Sequence, residues 1–361
     1  MDKLLQARAI INETDKEIAQ LFEKRMQAVR MVAEYKMERG LPVFDAARED
    51  QLIRNNIDNV QDEEIKEYYV PFIKSTMDIS KRYQHRILSG ANIAYSGVEG
   101  AFAHIAAGRI FPDGNRISYP DFKSAYEAVE KGECECAVIP IENSRAGEVG
   151  QVIDLLFSGS LYVNGVYSLD IRHNLIGLKG AKESDITEVI SHQQALDQCD
   201  SYIRKQGYIA TSCVNTAKAA QKVAQTADIT KAAIASRETA ELYNLEVIRE
   251  NINEASDNTT RFVVVSRTLS KEKKDHSIIV FTVPDEAGAL AHAINIIGHH
   301  GYSMRHIKSR AMKDLIWTYY FYVELKGDLQ SSRRGKYMME ELAECCDKLK
   351  MIGTFNENSK I

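Results

Sequence analysis

KLLQARAIINETDKEIAQLFEKRMQAVRMVAEYKMER, residues 3–39, contains neither glycine nor proline, and its apolar residues recur at helical spacing through Leu4, Ile11, Ile18, Phe22, Val29 and Val32. The stretch predicts one very long helix. Gly40 and Pro42 end it, and two further helical stretches follow, about 46–59 and 62–88, so the chain opens with an all-α segment over residues 1–88. A helix of this length cannot bury its apolar stripe inside so short a monomer, which predicts a homodimer or a higher homo-oligomer.

The long helix carries Arg8, Arg25 and Lys36; Arg48 and Glu49 follow the turn, and Ser80 and Gln84 lie one helical turn apart. Arg25 and Lys36 are close to three whole turns apart, so they share a face with about 16 Å between them. Arg8 lies roughly 25 Å from Arg25 along the axis and on a different face, so it can join one small dianionic ligand only from a partner chain. Ordinary solvated charges on a helical bundle are the competing reading of the same residues.

From Asn92 the grammar changes to short apolar runs alternating with helical segments: IAYSG, CAVIPIENS, EVISH, IATSCV, AAIAS and RFVVVSR. Such alternation predicts an α/β domain with its ligand beyond the carboxyl ends of the strands. LYVNGVYSLDIRHNLIGL reads as a crossing between two lobes, with a cleft between them as the natural site. Polar signals stand after strands or at helix starts: Glu142-Asn143-Ser144, Ser191-His192, Asn215-Thr216 and Thr259-Thr260-Arg261. Helix N-termini suit carboxylates. Taken singly, Ser191, Asn215 and Thr216 read better as helix caps; taken together they suggest a cleft.

The run 266–277, SRTLSKEKKDHS, is polar and charge-rich and suits a linker. Beyond it SIIVFTVPDEAGALAHAINIIGHHGYSMRHIKSRA and IWTYYFYVEL read as strand, helix, strand, strand, with a further helix near 336–349. This is an α+β, ferredoxin-like unit.

The length of 361 residues calls for two or three domains, and 44% hydrophobic with 27% charged residues is a globular profile. A net charge of −5 with mixed signs offers no basic stripe, so nucleic acid is not expected as a partner. The start of the chain, charged from Asp2, lacks the apolar run of a signal peptide or membrane span; a cytoplasmic protein without a membrane partner is expected. The six cysteines form no CxxC pair and no zinc spacing, so they read as reduced structural thiols and no metal is expected.

LLQARAIINETDKEIAQLFEKR, YK, GLPVFDAAREDQLI and DISKRYQ resemble the helical chorismate mutase family over residues 1–88. The resemblance implies Arg8, Arg25, Lys36, Asp45, Arg48, Glu49, Ser80 and Gln84 as active-site residues. Chorismate rearranges to prephenate unimolecularly, so the site must hold two carboxylates in a reactive fold and hydrogen-bond the ether oxygen. Arginines clamp carboxylates bidentately; Lys36 and Gln84 are the candidates for the ether oxygen, and Glu49 and Arg48 for the hydroxyl and carboxylate side. Asp45 and Ser80 also read as helix-end or packing residues.

YSGVEGAFAHIAA, VIPIENSRAGEVGQVIDLL, SHQQALDQC, NTAKAA and NTTRFVVVSR resemble, in order, the prephenate dehydratase family across residues 92–268. That family implies a bilobed, periplasmic-binding-protein-like domain and Asn143, Ser191, Gln198, Thr260 and Arg261 as functional residues, with Phe262 packing. Dehydration needs a hydrogen-bond or proton donor at the departing ring hydroxyl. Thr260 is the family's candidate, acting as a positioned donor within a network that includes Ser191 and Gln198. Arg261 would hold a carboxylate or fix the loop by pairing internally. No metal or organic cofactor is called for: the mutase step is a unimolecular rearrangement, and aromatisation supplies the driving force of the dehydration.

Gly288-Ala289-Leu290, on a strand-to-helix turn within 275–361, resembles the effector-binding turn of ACT regulatory domains. It implies a phenylalanine effector site that includes Ser309 and Arg310 and is shared between two chains. This chain departs from the family pattern at Lys308-Ser309-Arg310-Ala311, where Glu-Ser-Arg-Pro is usual, and at Ala287 in place of proline. Feedback by phenylalanine is therefore an expectation to be tested, and a dimerisation module is the alternative.

Two rivals remain. A mutase fused to prephenate dehydrogenase would need GxGxxG, and SGVEGAF, residues 96–102, offers only a Gly-x-x-Gly turn. A bilobed amino-acid sensor with an ACT domain explains the lobes but neither Lys36 with Gln84 nor Thr260 with Arg261.

Overall fold

The computed structural model describes residues 2–39, 46–254, 257–312, 319–357 and 359–361, with the side chains of all of these but 46–50, 85 and 89. Two compact units divide it, Met1–Asn92 with Asp113–Asn115, and Ile93–Pro112 with Arg116–Ile361.

The first unit holds helices α1 (Lys3–Arg39), α2 (Ala46–Ile57) and α3 (Glu63–Ser89). Asp62 starts α3 by accepting a hydrogen bond from the Glu64 amide at 2.9 Å, and Glu63 and Glu64 complement the positive end of the helix dipole. With 37 residues α1 is about 55 Å long, yet only Val29 and Ala33 are buried in it. Those two, with Arg25 and Met26 beside them, form a seam against Ile73, Met77, Ser80 and Gln84 of α3, both stripes recurring every third or fourth residue. Elsewhere α1 leaves large apolar side chains in solvent, Leu21 at 65% and Met31 at 69% exposure.

The second unit opens with β1 (Asn92–Ser96), α4 (Phe102–Ile110), β2 (Asn115–Tyr119), α5 (Phe122–Glu130), β3 (Cys136–Asn143), β4 (Gly147–Glu148), α6 (Gly150–Ser158) and β5 (Tyr162–Asp170). A second group follows: β6 (Asn174–Gly177), β7 (Glu188–His192), α7 (Gln193–Asp197), α8 (Asp200–Gln206), β8 (Ile209–Cys213), α9 (Thr216–Thr226), β9 (Lys231–Ala235), α10 (Arg237–Leu242) and β10 (Glu246–Arg249). The chain then returns along β11 (Thr259–Ser266) to the first sheet. One lobe is built on strands in the order β2-β1-β3-β11-β5, the other on a five-stranded sheet, β10-β6-β9-β7-β8. The segment read as a crossing does carry the chain from β5 into β6, and the return into β11 runs beside it, with Thr259 paired to Asp170.

The chain ends with β12 (His276–Thr282), α11 (Ala289–His299), β13 (Ser303–Ala311), β14 (Tyr319–Lys326), α12 (Arg333–Cys345) and β15 (Lys348–Phe355), with strand order β13-β14-β12-β15. Strand alternation gives this sheet two faces. Ile279, Phe281, Val323 and Leu325 pack under the helices. Ile278, Val280, Tyr320 and Tyr322 join Ile139, Ile141, Ile153 and Val163 of the first lobe in one core. The β15 strand pairs with β5 at Gly353 and Val163, where a Cβ on Gly353 would stand 2.4 Å from the Val163 carbonyl oxygen, so only glycine fits.

Three sequence expectations need correction. Residues 266–277 are not all linker: Ser266 ends β11, and His276 and Ser277 are buried in β12. The last helix stops at Cys345, and Lys348–Phe355 is a strand, because alternating Met351 and Ile352 complete the two cores. The polar edge strands β2 and β10 carried too little apolar pattern to be read. All six cysteines are free thiols, and burial pushes Cys136 and Cys199 up to about 12. No described helix is long and apolar enough to cross a membrane.

Candidate active sites

Between the two lobes lies a cleft of about 570 Å³. Its walls are the turns at the carboxyl ends of strands: Ser96 ending β1 and Gly97 after it, Pro120 after β2, Asn143 ending β3, His192 ending β7 and Val214 after β8. Helices α4, α5 and α9 start there, with Phe102, Phe122 and Thr216 in the wall. Their amino ends bias the cleft toward an anion. Asn215 caps α9, accepting from the Lys218 amide at 2.7 Å, so the capping reading of this residue holds even though its side chain also borders the cleft. A neighbouring hollow of about 500 Å³ is bordered by Arg109, Arg237, Glu238 and Glu250, but these charges already neutralise one another as Arg109–Glu238 and Arg237–Glu250 pairs.

Within the cleft a hydrogen-bond network joins both crossing strands. Asn143 Nδ2 donates to Thr260 Oγ1 and to Asn258 Oδ1, each at 2.9 Å. Asn258 Nδ2 donates to Gln198 Oε1 at 2.8 Å, and His173 Nε2 lies 2.9 Å from the same oxygen. Thr260 is 9% exposed and His173 3%, so the network is largely shielded from bulk water. Burial holds His173 below the ordinary histidine range, which keeps the ring neutral. Asn143, Gln198 and Thr260, named from the sequence, are thus brought together. Asn258 and His173 were missed: Asn258 stands two residues before Thr260, on the same face of the chain, and His173 lies among other polar residues of the crossing, between Arg172 and Asn174, with no motif to single it out.

Two named residues lie elsewhere. Ser191 is fully buried and its hydroxyl donates to the Ile234 carbonyl at 2.6 Å, tying β7 to β9 rather than reaching the cleft. Arg261 alternates with Thr260 and points to the opposite side of β11, so it does not hold a carboxylate ligand in the cleft. It pairs with Glu142 at 3.2 Å and Glu324 at 2.9 Å, the internal alternative left open above. Those two carboxylates outweigh the burial that would lower it and push the guanidinium further up. Phe262 is buried behind Thr260 in its packing position.

In the helical unit Arg25, Ser80 and Gln84 meet along the α1–α3 seam. Arg25 donates to Ser80 Oγ and to the Thr76 carbonyl, and burial lowers its pKa. Gln84 is buried, with its Oε1 unpartnered among the described residues. Lys36 is half-buried on α1, and Arg8 is exposed near the far end of that helix. Asp45 lies outside the described residues, as do the side chains of Arg48 and Glu49 in α2.

Gly288, with φ of +90°, precedes α11, and Ala289 and Leu290 begin it. Ser309 is paired across β13–β14 with Phe321 on the helix-covered side. Arg310 is on the other side, held by Glu148 at 2.8 Å and Asp154 at 2.9 Å, so the structure does not bring all five effector candidates to one place. Lys308 also faces the first lobe, 2.9 Å from Glu142.

Residues 7–85 match the family profile of chorismate mutase type II, and residues 93–270 that of prephenate dehydratase. The bifunctional chorismate mutase/prephenate dehydratase of Aquifex aeolicus is 28% identical over 98% of each chain. The prephenate dehydratase of Lactococcus lactis subsp. cremoris is 33% identical over 73% of this chain and 97% of its own. Among solved structures, prephenate dehydratase from Arthrobacter aurescens in complex with L-Phe superposes with a TM-score of 0.68 at 25% identity, over 74% of this chain and 90% of that one. With a cleft of this architecture behind the second profile and a charged helical seam behind the first, the chain belongs to the prephenate dehydratase family, in the bifunctional form that carries a chorismate mutase domain ahead of the dehydratase.

Proposed function

We propose that the helical unit rearranges chorismate to prephenate and that the bilobed cleft converts prephenate to phenylpyruvate, two consecutive steps of phenylalanine synthesis, within the cytoplasm. The observation that carries the second assignment is the Asn143–Thr260 bond at the floor of the cleft. Thr260 Oγ1 accepts there from Asn143, so its own hydrogen is left to donate. In the reaction the ring C–CO₂ bond breaks, its electron pair enters the ring, and the ring C–OH bond breaks. The departing hydroxyl gains one proton, delivered through Thr260 and restored from solvent, and leaves as water alongside CO₂. Asn143, Gln198 and Thr260 are the working residues of this reading.

For the first reaction, Arg25 would clamp a carboxylate, while Lys36 and the Gln84 amide would donate to the ether oxygen as its bond breaks. Arg8 would come from a second copy, and the exposed apolar stripe of α1 supports a homodimer. The three functional parts would be 1–88, 92–268 and 275–361. The last has the β-α-β-β-α-β order of ferredoxin-like ACT domains, which supports a regulatory role. Phenylalanine would then bind at Gly288–Leu290 and Ser309, with Arg310 contributing only if it leaves Glu148 and Asp154.

Replacing Thr260 by valine keeps the shape and removes the hydroxyl. We expect Thr260→Val to lower the dehydratase kcat by about 100-fold or more while mutase turnover is unchanged, so that prephenate accumulates from chorismate. Dehydratase turnover within a few-fold of the parent would refute the role of Thr260.

A further inference from the structure

The orientation of every group in the cleft network follows from two main-chain amides. Asn143 Oδ1 accepts from the amides of Arg145 at 3.0 Å and Ala146 at 2.9 Å, which places its NH₂ toward Thr260 and Asn258. Asn258 must therefore present its oxygen to Asn143 and its NH₂ to Gln198. Gln198 in turn presents its oxygen, which can only accept, to His173. The hydrogen of the neutral imidazole is thus on Nε2. Nδ1 is left as a bare lone pair, buried and without a partner among the described residues, on a ring that borders the cleft and meets Phe102 edge-on at 5.9 Å.

The two ends of this chain of bonds are complementary. At one end Thr260 has a hydrogen to give, and at the other His173 Nδ1 has a lone pair to receive one. Prephenate as a dianion carries a single O–H, its ring hydroxyl, the group that departs. We propose that His173 is a positioning residue of the dehydratase, its Nδ1 accepting the hydrogen of the substrate's ring hydroxyl so that the oxygen's lone pair is turned toward the Thr260 hydroxyl. A buried unsatisfied acceptor is costly, and the substrate hydroxyl removes that cost only when it is correctly placed. The hydroxyl keeps its own hydrogen throughout; accepting at Nδ1 makes its oxygen more basic toward the incoming proton. This inference rests on the dehydratase reading above.

Asparagine and glutamine separate the two nitrogens, since an asparagine oxygen stands near the position of Nδ1 and a glutamine oxygen or nitrogen near that of Nε2. With prephenate supplied to the full chain, His173→Gln keeps a bond to Gln198 and loses the acceptor. Its kcat should fall about 10- to 100-fold with little change in KM, whereas His173→Asn should stay within about tenfold of the parent. The reverse order, or equal losses, would mean that the ring merely supports Gln198 and would overturn the proposal. On the unsubstituted protein, ¹⁵N-histidine NMR with ring-reduced prephenate analogues provides a second test that does not depend on either variant folding. The Nδ1 resonance should shift with the analogue bearing the ring hydroxyl and stay in place with the one lacking it; no difference between them would also overturn the proposal. If the parent makes no phenylpyruvate from prephenate, the dehydratase reading fails by itself, and the spectra still decide whether Nδ1 receives the hydroxyl.

Discussion

Thr260 and Arg261 are adjacent, and the alternation of one strand sends the first into the cleft and the second into a cluster of carboxylates. The motif was legible in the sequence, but its division into two faces was not, because that requires knowing which side of β11 the second lobe covers. Ser191 shows the same limit: a serine ending a strand reads as a cleft residue or as a tie between strands, and only the neighbouring Ile234 carbonyl decides. Arg261→Met tests the assignment. Glu324 is 3% exposed at its side chain, so removing its cation strands a buried charge. We expect a loss of about 3 kcal/mol in urea unfolding, with KM for prephenate unchanged in the protein that remains folded. A raised KM without loss of stability would return Arg261 to the substrate.

Among the elements, α1 was read from sequence nearly to its ends because an uninterrupted apolar period over 37 residues admits no other structure. The final strand was not, since Lys348–Phe355 earns its conformation from the β12 and β5 partners it fits between. At β13 the reading of a changed effector motif meets a structural use for the change: Lys308 pairs with Glu142 of the first lobe, beside Arg310, which the motif retains, on Glu148 and Asp154. Burial pushes the Glu142 carboxyl up, but the hydrogen bonds and charges of Lys308 and Arg261 prevail and hold it below its ordinary 4.5. A carboxyl held low in the folded state contributes stability above its unfolded value and loses it as pH falls through the folded value. Stability of the dehydratase part should therefore drop below about pH 4.5 more steeply in the parent than in Glu142→Gln. Equal slopes in denaturant titrations across that range would mean the contact does not hold β13 in solution.

For the whole molecule, the mutase and dehydratase chemistries were legible from segment grammar and motif resemblance, whereas the proposed sharing of the mutase site between two chains follows only from a distance along one helix. Arg8 and Arg25 are roughly 25 Å apart along α1, so a site using both must borrow one. Mixing Arg8→Ala and Arg25→Ala chains, each inactive as mutase alone, should restore about a quarter of parental mutase activity through random pairing into a symmetric dimer. No recovery after verified subunit exchange would remove Arg8 from the shared site. The most direct test of the central claim is to give the purified full chain chorismate alone and follow chorismate, prephenate and phenylpyruvate by chromatography. Prephenate should rise and then give way to phenylpyruvate. Prephenate that accumulates without phenylpyruvate would contradict the dehydratase assignment, and chorismate that persists unchanged would contradict the mutase.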